Sequence, residues 1–393
     1  MNVETDALKL SSRLSVAIST IGFNQTAFIA LVPLIATTTG LQTGEIGFTA
    51  GLSALVFVIS APFCAMLGTW IGARRALSGL ALGLLAAQII FLILMVAGPL
   101  PYAFALGLLV VSRVIYGIAS AGVMPIAQGW ISGLLPQNQR SGGLARLSAG
   151  LSIGRILGSA AAVTANILPI LPLALLVISP LSLLLVRGAK DRTAEAGQPF
   201  TGRIYLSPFD GRLIPFLALG FLITMAFGNI QMVLGPWLQL RFAISPAQAT
   251  AATGLTLIIV AFAMIATQIV LIPRLRLANR TTVLIGAALL VSGVMLVAVT
   301  RAASINLAGL VISGIGTAIA TPNYLAWLTS RMQQSEQGAA AGWLASAHVL
   351  GQGAGAIAGG YLFTISTEAP LAACAILAVI AALLAALMKT GNA

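Results

Sequence analysis

The chain has 393 residues, 59% of them hydrophobic and 7% charged, with a formal net charge of +12. A soluble globular domain carries roughly 25% charged residues, so this composition excludes one. The apolar runs are long rather than short and alternating, which excludes a β-barrel and leaves an all-α polytopic membrane protein.

The positive excess would suggest nucleic acid in a soluble protein. Here it lies between the apolar runs, as membrane orientation requires, and no nucleic-acid partner is expected.

Twelve spans are predicted, each long enough for a hydrocarbon core of about 30 Å. The first six are Ser12–Ala36, Thr43–Trp70, Ala76–Ala97, Pro101–Leu134, Leu147–Ile167 and Leu168–Val186. One long polar segment follows, Arg187–Arg212. The other six are Leu213–Leu238, Pro246–Ile272, Thr281–Val299, Ile305–Thr329, Gly338–Thr364 and Ala369–Met388. This predicts a bundle over 1–186, a linker over 187–212 and a second bundle over 213–393.

Sixteen Lys and Arg residues fall on one side of these spans, and only Arg241 and Arg301 on the other. That bias places both termini and the linker in the cytoplasm of a bacterial inner membrane. Glu4 and Asp6 precede the first run without a cleavage pattern, so no removed leader is expected.

The two halves repeat one another. At a shift of 197, Gly117 falls on Gly314, Pro125 on Pro322, Trp130 on Trp327, Gly154 on Gly351 and Gly158 on Gly355. At a shift of 203, Pro33 falls on Pro236 and Gly51 on Gly254. Each half holds six spans, so the repeat is parallel, the symmetry of two six-helix bundles with a site near mid-depth. Arg155 falls on Gln352, so one half carries a charge that the other lacks.

On these features the chain resembles the major facilitator superfamily. Leu109, Arg113, Gly117 and Ala121 fit the family's fourth-helix pattern L-x-x-x-R-x-x-x-G-x-x-x-A. The fifth-helix antiporter motif keeps Gly150, Gly154 and Gly158 but has Arg155 in place of its proline. The loop after the second span keeps Gly72, Arg74 and Arg75, with Thr69 where the family has Asp and Trp70 where it has Arg. The resemblance implies alternating access, and the pattern looks most like the bacterial drug, metabolite and siderophore exporters.

Arg113 and Arg155 are both expected near mid-depth, where a charge costs about 2.5–3.5 kcal/mol on insertion scales and faces protein or water rather than lipid. None of the eight acidic residues lies in the middle of a span, so neither arginine has an obvious carboxylate partner. Arginine's planar fork suits carboxylate and phosphate, so a small polar, carboxylate-bearing substrate is expected. The competing reading is that Arg113 braces its helix against backbone carbonyls.

Neutral candidates for the same site are Asn24, Gln25, Asn229, Gln231, Asn323, Tyr324 and Gln352, each alternatively a helix–helix hydrogen bond. His348, the only histidine, is the expected intramembrane proton carrier, with Glu45 second. Gly150, Gly154 and Gly158, with Gly351 and Gly355, form small-residue faces that either slide across an interface or pack statically. The five tryptophans fall near span ends and read as an interfacial belt.

Cys64 and Cys374 lack metal-type spacing, and no phosphate loop or catalytic arrangement occurs, so no cofactor, no metal and no enzyme activity are expected. The function expected is secondary active efflux of an organic anion, proton-coupled and carried out by a monomer in the bilayer. Uptake of such an anion, multidrug efflux, and a non-transporting sensor or scaffold on the same fold are the alternatives.

Overall fold

The computed structural model describes residues 3–135, 137–187, 206–274 and 277–388, so most of the expected linker lies outside the described residues. Every predicted span is a helix or a helix pair, and no strand occurs among the described residues.

The first span is broken. α1 (Val3–Ala30) and α2 (Val32–Thr39) meet at Leu31 with a bend of 57°. Pro33 is the cause: it has no N–H to donate back into α1, and its ring crowds the preceding turn. α2 stops at Gly40, whose φ of +71° suits glycine and whose N–H bonds the Ala36 carbonyl.

α3 (Thr43–Ile71) and α4 (Ala73–Val96) follow, with Gly72 at φ +88° between them. The fourth span is α5 (Tyr102–Ala121) and α6 (Val123–Leu134), parted at Gly122 three residues before Pro125. α7 (Gln137–Val163) starts ten residues before its predicted span, because Gln137–Arg146 is helical without being apolar. Hydropathy marks where lipid ends, not where a helix ends. α8 (Ile170–Ile178) tightens over Ser179–Val186, where Pro180 interrupts it.

The second half holds α9 (Ile214–Phe242), α10 (Pro246–Ala266), α11 (Asn279–Val299), α12 (Ala303–Thr329), α13 (Gln337–Ile365) and α14 (Ala369–Leu387). α10 widens into a π turn over Thr267–Leu271.

Among the described residues nine helices are long and apolar enough to cross a membrane, ten if the bent first pair is one span. Ile170–Val186 is a shorter apolar helix. α13 is 29 residues long and uncharged, its hydropathy diluted by seven glycines. Together these account for the twelve expected spans.

The described chain forms two compact units. One takes its residues from Met1–Leu41, Leu52–Thr201 and Leu238–Leu255, the other from Gln42–Gly51, Gly202–Trp237 and Thr256–Ala393. The first packs around Leu14, Ile18, Leu77, Leu84, Val123 and Leu147. The second packs around Phe216, Leu219, Tyr324, Trp327, Leu328 and Leu344. Trp130, Trp237 and Trp327 are buried at 7%, 3% and 6% exposure, which corrects the belt expectation for these three; Trp70 and Trp343 are exposed.

Glycine decides how α1 meets α7. A Cβ at Gly150, Gly154 or Gly158 would run into the backbone carbonyls of Ser15, Ser19 and Phe23, and one at Gly22 into Leu151 and Arg155. In the other unit Gly351, Gly355 and Gly359 meet Phe221, Met225 and Asn229 of α9 in the same way. These faces are closed on helices of their own unit. In this structure the glycines serve tight packing within each unit.

At the starts of α9 and α13 an ion cluster ties the end of the linker down. Arg212 Nη2 lies 2.8 Å from Asp210 Oδ2 and 2.9 Å from Glu336 Oε1, and Nη1 lies 3.0 Å from Glu336 Oε2. Trp343 Nε1 donates to the Leu206 carbonyl beside it at 2.9 Å. Hydrogen bonds from Arg212 hold both carboxyl groups below their ordinary range. Groups depressed in this way add stability above the unfolded carboxylate value of about 4, and that stability is lost as pH falls through the folded value. Arg212→Gln is thus expected to lower the unfolding temperature at neutral pH, with the gap to the parent protein closing below about pH 4. A gap that persists in acid would show that the cluster does not carry it.

Candidate functional site

In the first unit, α5 carries Arg113, and its guanidinium is caged. Arg113 is 3% exposed, with its Cζ 4.4 Å from the ring centre of Phe28, 5.2 Å from Phe91 and 5.1 Å from Tyr116. Phe28 comes from α1, Phe91 from α4, and Tyr116 from one turn along α5. Nη2 donates to Ser112 Oγ at 3.0 Å and to Gln88 Oε1 at 3.4 Å. No carboxylate bonds it among the described residues.

Aromatic faces replace a counter-ion here. A desolvated cation over an aromatic face gains about 2 kcal/mol or more, comparable to the insertion cost of the charge. Arg113 thus joins three helices of its unit. It braces them through rings rather than through the backbone carbonyls considered in the sequence reading.

Arg155 is different. It stands exposed on α7, one residue after the crossing at Gly154, and its Nε donates to Gln25 Oε1 of α1 at 3.3 Å. Its remaining donors are directed by no carboxylate among the described residues. Tyr116 lies within charge-interaction range of both Arg113 and Arg155, and its hydroxyl reaches the Ile21 carbonyl at 3.4 Å. The structure therefore brings Gln25, Arg155, Tyr116 and Arg113 together.

Asn24 bonds none of these residues. Its Nδ2 bonds the Thr20 carbonyl at 2.7 Å and Ser179 Oγ at 2.8 Å, and the residue is 1% exposed. That is an interhelical role.

In the second unit the pseudo-equivalent of Arg155 repeats the arrangement without the charge. Gln352 Nε2 on α13 donates to Gln231 Oε1 on α9 at 3.0 Å. Each fifth-of-six helix thus offers an amide or guanidinium to a glutamine on the first helix of its unit. Only a small void of about 20 Å³ lies beside Gln231, lined by Phe227, Thr256, Leu257, Val260 and Ser313. A cleft of about 210 Å³ is lined by Leu34, Thr38, Met95 and Pro169 in the first unit.

Asn229 is fully buried and donates to the Pro370 carbonyl at 3.1 Å, and Asn323 donates to the Ile319 carbonyl of its own helix at 2.7 Å. Tyr324 is fully buried, with its hydroxyl 2.7 Å from His348 Nε2. These three serve packing and local hydrogen bonding in this geometry, not an open pocket.

His348 and Gln352 both face α9, as their four-residue spacing predicts: a Cβ at Gly220 would lie 2.9 Å from His348 Nε2, and one at Gly228 would meet the Gln352 carbonyl at 2.5 Å. Glu45 accepts the Gln42 N–H at 2.8 Å in the first turn of α3, a cap that stabilises the helix start. That bond gives Glu45 a structural task at the start of α3.

In the first turn of α4, Arg74 Nη1 donates to the Arg187 carbonyl at 3.4 Å, while Arg75 is exposed. Among the described residues no group of three or more His, Cys, Asp or Glu could hold a metal.

With this geometry in hand, the comparisons can be read. The family model described as Major Facilitator Superfamily matches residues 14–204 and 216–392. The chain belongs to this superfamily. Superfamily membership makes it a membrane transporter of small molecules rather than an enzyme.

No protein of curated function matches the chain by sequence. Solved superfamily structures do match in shape. A D-xylose–proton symporter superposes with a TM-score of 0.77 at 15% identity, over 96% of each chain. An inward-facing, occupied bacterial homologue of the human lysosomal transporter Spinster gives 0.73 at 14%, again over 96% of each. A human organic anion transporter gives 0.63 at 17%, over 98% of this chain and 100% of that one. At these identities the likeness is one of fold.

The superfamily's fourth-helix arginine was legible from its motif, but the cage was not. Tyr116 had a signal, being three residues after Arg113 on the same helix face. Phe28, Gln88 and Phe91 had none, since only packing brings them to Arg113.

Proposed function

We propose that this superfamily member exports a small polar organic anion bearing a carboxylate, by alternating access of the bundles 1–186 and 213–393, in exchange for protons. One observation carries the reading. Arg155 is a cation inside a membrane span, exposed, with a neutral amide partner and no carboxylate bonded to it among the described residues. An anion would complete its hydrogen bonding, and the guanidinium fork holds carboxylates in two parallel bonds.

Gln25 supplies a neutral amide beside Arg155, and Gln231 with Gln352 repeats that pairing in the second unit. Arg113 contributes a fixed positive field from its cage. The exporter-like fourth- and fifth-helix patterns support efflux, and the cationic loops support cytoplasmic termini in a bacterial inner membrane. The protein acts as a monomer. One superfamily structure of the same fold is described as an organic anion transporter, which accords with an anionic solute.

The test is thermal unfolding of the purified protein against a panel of carboxylates, amines and neutral metabolites. A ligand at a hundred times its dissociation constant stabilises by about 2.7 kcal/mol. Stabilisation is expected from carboxylates, and Arg155→Gln should abolish it while leaving the unliganded midpoint close to that of the parent. Stabilisation by amines or neutral compounds that survives Arg155→Gln would overturn the anionic reading in favour of multidrug efflux.

A further inference from the structure

We propose that Tyr324 and His348 form one proton-holding unit, in which Tyr324 is the positioning residue that lets His348 gain and lose a proton without moving. The inference rests on the proton-coupled reading above and deepens it. It also removes Tyr324 from the solute contacts, since a fully buried side chain reaches none.

Three helices fix the imidazole. Tyr324, on α12, places its hydroxyl 2.7 Å from His348 Nε2, and the two rings meet edge to face at 5.5 Å and 78°. From α9, Gly220 leaves room for the ring where a Cβ would lie 2.9 Å from Nε2. α13 itself carries His348 with Leu344 one turn before it.

Thr321, one turn before Tyr324, is engaged elsewhere, its Oγ1 donating to the Thr317 carbonyl at 2.9 Å. The outlying charges on these elements are Arg331 beyond α12, stacked on Phe216 and Trp327, the Asp210–Arg212–Glu336 cluster at the starts of α9 and α13, and Arg241 at the far end of α9. Tyr324 is the ionisable side chain in direct contact with the imidazole.

A phenol is both donor and acceptor, and this matters for the chemistry. With the imidazole neutral, the Tyr324 O–H donates to unprotonated Nε2. When a proton from water is added to the ring, Nε2–H donates to the phenol oxygen. The phenol hydrogen then rotates away from the ring, and no heavy atom shifts. The proton leaves to water by the reverse path. Phenylalanine at 324 would keep the ring contact and lose both roles.

The chain has a single histidine, so ¹⁵N-histidine labelling of the whole protein in lipid nanodiscs reports His348 alone. Nitrogen shifts distinguish the two neutral tautomers from the imidazolium across about pH 4 to 9. The parent protein is expected to show one neutral tautomer, hydrogen-bonded at Nε2, converting to imidazolium. Tyr324→Phe should populate both tautomers and displace the midpoint by about one pH unit.

A Tyr324→Phe spectrum superimposable on the parent would overturn the unit, as would a parent imidazole that never changes charge. Proton flux into proteoliposomes loaded with the carboxylate panel separates this from the coupling reading. Undiminished pH-driven flux in His348→Gln would sink proton coupling through His348, while leaving the tautomer result standing as a property of the pair.

Discussion

Gly154→Ala is expected to lower the unfolding midpoint by on the order of 5 °C, while Gly142→Ala on the same helix leaves it unchanged or raises it. A Cβ at Gly154 would sit against the carbonyl, carbonyl carbon and Cα of Ser19, all backbone atoms that cannot rotate away. A Cβ at Gly142 meets nothing within 4 Å. Alanine there gains about 1 kcal/mol of helix propensity over glycine.

One methyl at Gly154 forces α1 and α7 apart. Because Gly150, Gly158 and Gly22 share the same crossing, the separation loosens the whole face. In lipid that face is held by packing rather than by expulsion of water, so lost contact is lost stability. Arg155 moves with α7, and Gln25 lies on α1. Gly154→Ala should therefore also weaken carboxylate-dependent stabilisation, although Gly154 contacts no solute. Differential scanning fluorimetry of the two variants in the same detergent checks both halves. Equal midpoints would show that the helices accommodate the methyl by sliding.

The same crossing shows what a sequence can and cannot disclose. The four-residue glycine spacing was plain, and it identified a close-packed face. It could not identify the partner helix, because α1 presents no matching pattern except Gly22. The twelve helices were legible because each must bury about thirty ångströms of backbone in hydrocarbon, where no other structure satisfies its hydrogen bonds. The bend at Leu31 was missed although Pro33 was in view. A proline inside a long apolar run does not change its hydropathy, only its axis.

Among the candidate site residues, the charges were the legible part. Arg113 and Arg155 stand out in any apolar stretch, and the absence of mid-span acids predicted that neither would be paired to one. Their different fates depended on aromatic residues 85 and 22 positions upstream of Arg113, at Phe28 and Phe91. Amides were the least legible. Asn24, Asn229 and Asn323 look like Gln25 and Gln231 in sequence. Only the helix face each occupies decides whether its amide closes a packing contact or pairs with Arg155 or Gln352.

Gly47→Leu is expected to raise the labelling rate of a cysteine placed at Thr43 by about tenfold and to stop transport. The first nine residues of α3 belong to the second compact unit, while the rest of the helix belongs to the first. A Cβ at Gly47 would run into the Ala356 carbonyl. One at Gly51 would lie 2.7 Å from the Gly353 carbonyl, and one at Gly360 would lie 2.6 Å from the Thr43 carbonyl. The start of α3 and the middle of α13 therefore touch backbone to backbone, and neither side has a side chain to yield.

A transporter that alternates access must part such a contact and remake it. Overpacking costs typically about 1–3 kcal/mol, which converts to roughly a 5- to 150-fold change in the ratio of closed to parted forms. Glycine keeps that ratio near balance, and leucine tips it toward the parted form. The measurement is maleimide labelling of Thr43→Cys, which is 8% exposed as threonine, in a background with Cys64 and Cys374 replaced by serine and alanine. Faster labelling with intact carboxylate-dependent stabilisation would show the closed form lost without damage to the site. An unchanged rate with normal flux would mean that this contact is permanent, and that access alternates somewhere other than between α3 and α13.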